Sequence, residues 1–439
     1  MPAPTYSAPA GWTAPPARGP LSAVVELPGS KSLTNRELVL SALADGPSVL
    51  RRPLTARDTE LMVEALRRLG ARIDGDADGT LRIRPAPLTG GAHIDCGLAG
   101  TLMRFLPPVA LLADGPVRFD GDDRARARPM ATTVLSLRAL GAEVDDDGRG
   151  ALPFTVTPGQ ARGGRVTIDA SASSQFVSGL LLVGARLPDG IEVEHRGERL
   201  PSMPHIAMTI DVLARRHVRV EAAAVGPSGA TWRVGPQRIH GRDVEIEPDL
   251  SNAAPFLAAA LVAGGTVTVP GWPERTTQVG DRLRDWLGAY GADVTVEHGA
   301  LTVDGGQGVR SRALAPVDLD LSEGGELAPT LVGLAVFADG RSSFTGIGHL
   351  RGHETDRLAA LAAELTGLGA AVQETDDGLV VEPGRLTAPD RPWRAFADHR
   401  MATTGALVGL AVDGVVVDDI GTTAKTLPGF ADLWRRMLG

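Results

Sequence analysis

Six apolar blocks recur along the chain, at 37–44, 101–113, 175–185, 253–263, 327–338 and 401–412. Each is apolar on every side, which predicts a helix buried centrally rather than one lying on a surface. A turn ends each block: Asp45-Gly46, Asp114-Gly115, Asp189-Gly190, Gly264-Gly265, Asp339-Gly340 and Asp413-Gly414. The second residues of these turns are spaced 69, 75, 75, 75 and 74 apart. A β-rich run and an amphipathic helix follow, as at 59–69, 131–140, 279–290 and 357–368. Those four helices stop at Gly70, Gly141, Gly291 and Gly369, each followed by alanine. A glycine just past a helix takes the left-handed cap conformation at little cost. The third repeat departs from this, with Arg215-Arg216-His217 where the cap is expected. Strand-like runs such as 71–73, 81–83 and 292–296 complete a helix–strand–helix–strand–strand unit. Self-similarity at this period defines the architecture.

The fold class is therefore α/β (α+β), with six repeated units. Three units make a domain of ordinary size. The break is expected at Val244-Glu245-Ile246-Glu247-Pro248-Asp249. The opening strand, 21–27, precedes the first unit and is assigned to the second half. This gives domains 29–245 and 1–28 plus 246–439, with chain crossings near 28 and 246 that act as a hinge. Residues 1–20, rich in Ala and Pro, are expected to be a loose, partly extended tail, with Trp12 the exception that docks on the body.

Composition narrows the function. At 439 residues the chain holds two or three domains, and 43% apolar residues mark it as globular. A net charge of −9 argues against a nucleic-acid surface. The single Cys96 excludes a disulfide framework and a cysteine metal cluster; it suits a reducing compartment and reads as a small buried apolar residue. No apolar run reaches the ~20 residues that span a bilayer. The N-terminus lacks the basic start and apolar stretch of a signal peptide, so a cytoplasmic location is expected. Of 44 basic residues only two are lysine, Lys31 and Lys425. A chain that uses arginine nearly everywhere keeps a compact, proton-exchanging charge at two places, which points to one functional site.

The first lysine lies in Leu27-Pro28-Gly29-Ser30-Lys31-Ser32-Leu33-Thr34-Asn35-Arg36. A strand, a turn and a helix start in that order present free N–H groups and the helix dipole to an anion. The starts of the other central helices are also polar: Gly97-Leu98-Ala99-Gly100-Thr101 with Arg104, Ser171-Ala172-Ser173-Ser174-Gln175, Asp249-Leu250-Ser251-Asn252, Glu323-Gly324-Gly325-Glu326 and Asp398-His399-Arg400. Asp249 and Ser251 read as plain N-caps. Arg36, Arg104 and Arg400 do not, because a helix start disfavours cations, and they call for a negative partner. Glu354 and Arg357 share a helix face, which by itself reads as a surface salt bridge.

Taken together, Pro28-Gly29-Ser30-Lys31-Ser32 with Asn35-Arg36, Ala99-Gly100-Thr101 with Met103-Arg104, Arg128-Pro129, Ser173-Ser174-Gln175-Phe176, Glu354-Thr355-Asp356-Arg357, Asp398-His399-Arg400-Met401 and Ala424-Lys425-Thr426 resemble the 5-enolpyruvylshikimate-3-phosphate (EPSP) synthases, in order from about residue 21 to the end. The resemblance implies a two-domain inside-out α/β barrel, three units per domain, with helices inside, sheets outside and closure on substrate. It implies transfer of the enolpyruvyl group of phosphoenolpyruvate to the 5-hydroxyl of shikimate 3-phosphate, with release of phosphate, on the route to chorismate and the aromatic amino acids. No metal and no organic cofactor are implied. Shikimate 3-phosphate would be held by Lys31, Ser32, Arg36, Ser173, Ser174, Ser202, Glu326 and His353. Phosphoenolpyruvate would be held by Lys31, Gly100, Arg128, Gln175, Arg357, Arg400 and Lys425. Glu326 would be the base for the 5-hydroxyl and Glu354 the acid for the methylene carbon, with Lys31 touching both substrates. A monomer is expected, with no nucleic-acid or membrane partner.

Glu326 stands where the family base is usually Asp, one methylene shorter. His353 replaces a lysine found in many members, which makes that contact pH-sensitive. Leu98 and His205 replace an Asn and a Tyr. The sister enzyme acting on UDP-N-acetylglucosamine is the nearest rival reading. It uses a cysteine in the loop matching 122–129, where this chain has none, and Lys-Asn where this chain has Lys31-Ser32. A hinged, non-catalytic anion-binding protein is a second rival, but it leaves Glu326 and Glu354 without a purpose. If the expected hinge operates, small-angle scattering will show a smaller radius of gyration with shikimate 3-phosphate than without it; an unchanged radius overturns the hinge.

Overall fold

The computed structural model describes residues 11–226 and 229–439. The chain forms two compact units, 28–249 and 1–27 with 250–439, each built round its own apolar core. In the unit 28–249 the central helices are Lys31–Leu43, Gly100–Val109 and Gln175–Gly184. In the other unit they are Leu250–Ala263, Ala328–Leu334 and His399–Val408. Side chains on all sides of them are buried, as a helix without a polar face requires.

One sheet topology repeats. His93–Asp95 runs parallel to Val117–Asp120, which pairs antiparallel with Phe154–Thr157, and Glu143–Asp145 forms the far edge. A parallel pair needs a crossover, and the central helix Gly100–Val109 supplies it. Strand residues alternate as a half-buried sheet demands: Val117 and Phe119 face the core while Arg118 is exposed. The same order holds for Gly164–Ile168, Ile191–Arg196, Gly229–Val234 and Glu221–Gly226. In the first repeat the parallel partner of Ser48–Arg51 is Asp243–Glu245, taken from the far end of the same unit, so the three repeats close in a ring. In the other unit, Leu21–Val24 plays that part beside Gly265–Pro270, and Asp318–Asp320 beside Ser342–Thr345.

The sixth repeat corrects one expectation. Trp393 bridges Val417 in parallel, and the antiparallel partner of Val416–Val417 is Trp12–Thr13. Ala14 and Ala17 are buried, and their N–H groups donate to Val415 and Leu410. Residues 12–17 are thus not a loose tail: backbone pairing to the last repeat and close packing of Ala14 on Gly409 fix them. Trp12 is docked, as expected. The part of the expected tail at 1–10 lies outside the described residues.

The irregular third cap also has a physical reason. His217 takes the left-handed conformation (φ 63°) that glycine holds elsewhere. This frees the preceding residue, Arg216, to point inward. Its guanidinium donates to Glu37 Oε2 at 2.6 and 2.9 Å and to Ser41, Ser48 and the carbonyl of His240. Removing one partner of such a buried pair costs about 3–5 kcal/mol. Arg216→Ala should therefore lower the melting temperature by roughly 10 °C, at about 2–4 °C per kcal/mol in a domain of this size. Arg216→Met with Glu37→Leu should restore most of it. A melting temperature unchanged in the single variant would show that the pair is dispensable.

Candidate active site

In the unit 28–249, Ser30 caps the first central helix, its Oγ accepting the N–H of Leu33 at 3.5 Å. Lys31 follows at the first helical position. Its N–H donates to Asp249 Oδ2 at 3.0 Å, and its ammonium lies 3.6 Å from the buried carboxylate of Asp58. Arg36, one turn on, is buried. Its nitrogens donate to Thr209 Oγ1, the carbonyls of Ser32 and His205, and Ser178 Oγ, and the guanidinium lies over the Phe105 ring.

Around Gly100 the side chains converge. A methyl built on Gly100 would lie 3.2 Å from Gln175 Oε1, 3.3 Å from Arg128 Nη1 and 3.4 Å from Arg104 Nη1. Gly100 opens the second central helix and Gln175 the third, so two helix starts meet there. Arg128 is buried, and its Nε and Nη1 have no hydrogen-bond partner among the described residues. A buried guanidinium left this way costs free energy unless an anion arrives. Arg104 lies over Phe176. Ser173 Oγ accepts the N–H of Gln175, Ser174 is buried beside it, and Ser202 sits in a left-handed turn (φ 52°) at the start of Met203–Ala214. Ser32 is partly exposed on the first helix turn.

The other unit, 250–439 with 1–27, holds a chain of charges. Arg357 opens the helix Arg357–Gly367. It forks onto Asp398 at 2.8 and 3.2 Å and reaches Glu354 Oε2 at 3.0 Å and His353 Nδ1 at 3.4 Å. Lys425 grips the second oxygen of Glu354 at 2.5 Å. Burial works against the charge on Arg357, but Asp398 and Glu354 outweigh it and hold the guanidinium more firmly protonated than usual. The pair Glu354–Arg357, which alone reads as a surface bridge, is thus almost wholly buried. Asp398 caps the helix His399–Val408 by accepting the N–H of Arg400, and Arg400 Nη1 donates to the carbonyl of Ser251 at 2.7 Å.

Glu326 sits in different surroundings. Ser251 Oγ donates to it at 3.3 Å, so Ser251 is more than the plain cap expected. His349 is next to it. Burial pulls the imidazole down to about 4, against the pull of Glu326 and with the help of Arg357, so it is neutral at ordinary pH. Its Nε2 is unpartnered among the described residues. Sequence reasoning missed Asp58, His349 and the bonding of Ser251. No motif marks the first two. Asp398 was visible only as part of Asp398-His399-Arg400. Among the described residues no group of three or more His, Cys, Asp or Glu is placed to hold a metal ion, and no helix is long and apolar enough to cross a membrane.

Known proteins share this architecture. An EPSP synthase from Acinetobacter baumannii superposes with a TM-score of 0.77 at 25% identity, covering 96% of this chain and 97% of that one. The enolpyruvyl transferase NikO from Streptomyces tendae has the same fold, with a TM-score of 0.73 at 20% identity over 96% of each chain. The fold is thus that of the enolpyruvyl transferases. The family model for EPSP synthase (3-phosphoshikimate 1-carboxyvinyltransferase) matches residues 16–434. A 3-phosphoshikimate 1-carboxyvinyltransferase from Kocuria rhizophila is 53% identical over 440 residues, covering 98% of this chain and 96% of that protein. The chain belongs to the EPSP synthase family.

The crowding at Gly100 gives a test. If glyphosate occupies the pocket that the resemblance assigns to phosphoenolpyruvate, the longer of the two molecules is the inhibitor. A methyl at this close approach should exclude it more strongly. Gly100→Ala should raise the glyphosate inhibition constant by a larger factor than the KM for phosphoenolpyruvate. Equal factors would show that Gly100 is not the wall of that pocket.

Proposed function

We propose that this chain transfers the enolpyruvyl group of phosphoenolpyruvate to the 5-hydroxyl of shikimate 3-phosphate, releasing phosphate. The observation that carries the reading is Glu354 held between Lys425 and Arg357, with a second carboxylate, Glu326, that accepts from Ser251 beside the buried His349 and lies close enough to Arg357 to strengthen its charge. Two carboxylates in unlike surroundings suit a reaction that needs one base and one acid.

Glu326 takes the proton of the 5-hydroxyl as its oxygen bonds to C2 of phosphoenolpyruvate. Ser251 Oγ fixes the carboxylate, and His349, which burial keeps neutral, packs beside it. Glu354 serves the methylene carbon. Without substrate, two cations keep it ionised. A phosphate and a carboxylate arriving on Lys425, Arg357 and Arg400 compete for those cations, which raises the proton affinity of Glu354; it then takes a proton from solvent and passes it to C3 as C2 is attacked. The C3 proton must leave again as the C2–O bond to phosphate breaks, and the same carboxylate is placed to take it. Lys425 then stabilises the phosphate as it takes up the bonding electrons. Lys31, Ser32, Arg36, Ser173, Ser174, Ser202 and His353 are assigned to shikimate 3-phosphate by family resemblance. The reaction takes place in the cytoplasm, without a membrane or nucleic-acid partner.

Phosphate release with phosphoenolpyruvate should require shikimate 3-phosphate and should not occur with UDP-N-acetylglucosamine; the opposite preference overturns the proposal. Lys425→Ala should lower the melting temperature less than Arg216→Ala, because Glu354 keeps Arg357, and should lose roughly a hundred- to a thousand-fold in kcat, the scale of one charge-stabilising donor. Turnover within a few-fold of the parent would make Lys425 structural.

A further inference from the structure

Asp398 joins two functional arginines: it takes the fork of Arg357 and the N–H of Arg400. What aims Asp398 is therefore a functional question. The two residues before it, Phe396 and Ala397, both lie in the left-handed region, at φ 55° and 54°. Neither is glycine, and consecutive left-handed residues persist only where their surroundings over-determine them. Their anchors begin with Trp393, buried, whose N–H donates to the carbonyl of Val416 and whose indole N–H donates to the carbonyl of Met401. Ala395 N–H donates to Asp418.

The remaining anchor is Glu364. Its carboxylate is fully buried and receives Arg391 Nη1 at 2.6 Å, Arg394 Nε at 2.8 Å and the Arg394 N–H at 3.3 Å. Glu364 lies two turns along the helix that begins at Arg357. One rigid helix thus presents Arg357 at its start and, through Glu364, grips the segment that delivers Asp398 to that same arginine. Arg394 continues the link, its guanidinium lying 4.7 Å from the centre of the Phe396 ring.

We propose that Glu364 is a positioning residue of the active site: it locks the strained segment 394–398 to the helix of Arg357, and so sets Asp398, Arg357 and Arg400 in the geometry that receives phosphoenolpyruvate. The inference rests on the assignment of Arg357 and Arg400 to that substrate. Its structural half, the locking of the segment, stands apart from it.

Glu364→Gln keeps the shape and removes the charge. In the full-length variant, the KM for phosphoenolpyruvate should rise by about tenfold or more, since misplacement of about 1 Å can cost a hundredfold. The Kd for shikimate 3-phosphate alone should stay within about twofold, because one displaced loop leaves that substrate's other contacts in place. Hydrogen exchange of the amides at 395–400 should speed up while that of 250–263 is unchanged. If both substrates weaken together, or exchange rises throughout, Glu364 is merely structural and the proposal is overturned. Unchanged KM and unchanged exchange overturn it as well. Should Glu364→Gln fail to fold, Arg394→Gln, half-exposed, must show the same split. A parent enzyme that releases no phosphate would overturn the functional reading, while the exchange comparison would still decide whether Glu364 locks the segment.

Discussion

A guanidinium removed from water must keep its carboxylates, and Arg357 has two. It holds Asp398 with its fork and Glu354 with the remaining edge, and all three are nearly sealed from solvent. Neither acid could be buried without it, and it could not be buried without them. This arrangement ties three separate stretches of chain, around 354, 398 and 425, into one rigid group. A site built on charges needs such a frame. Flexible cations would follow the substrate instead of holding it, and the gain from having charges already in place would be lost.

The same frame resolves the awkward position of cations at helix starts. The dipole there favours anions, so Arg357 and Arg400 are placed against it. Asp356 and Asp398 cap the two helices, one accepting the N–H of Ala359 and the other that of Arg400. Each places a negative charge at the positive end, and Asp398 serves twice, capping its own helix and taking the fork of Arg357 at the start of the other. The unit 28–249 meets the problem in another way. Arg36 donates to hydroxyls and carbonyls and lies over an aromatic ring, and among the described residues Arg128 Nε and Nη1 have no hydrogen-bond partner. A buried guanidinium edge left in this way is ready for an anion.

The repeat was legible because it rests on short-range physics. Apolar helices, glycine turns and left-handed caps leave marks in the chain at a regular spacing, and the helices at 100–109, 175–184 and 357–367 fall where those marks put them. What the repeat hides is pairing at long range. Nothing local says that Trp12–Thr13 completes the sixth repeat's pairing, or that Asp243–Glu245 returns to the first. The candidate site divides in the same way. Lys31, Gly100, Arg357 and Lys425 lie in motifs and could be named. Asp58, His349 and Glu364 carry no motif; their importance comes from burial and from the partners the fold brings to them, which a linear reading does not contain. Ser251 looked like a cap because serine at a helix start usually is one, and only its contact with Glu326 shows a second use.

The two lysines show what the chain gains by departing from its own habit. Each lies against a carboxylate, Lys31 near Asp58 and Lys425 on Glu354. At Glu354 the two oxygens are divided: Lys425 takes Oε1 and Arg357 takes Oε2. An arginine at 425 would bring a fork matched to both oxygens of one carboxylate. It would compete with Arg357 for Oε2 and draw Glu354 out of the Arg357–Asp398 frame. A lysine, being a point charge on a flexible stem, can hold one oxygen and still turn a second proton towards an incoming anion. Where the task is to share a carboxylate with a neighbour and then let it go, the compact cation is the one that works.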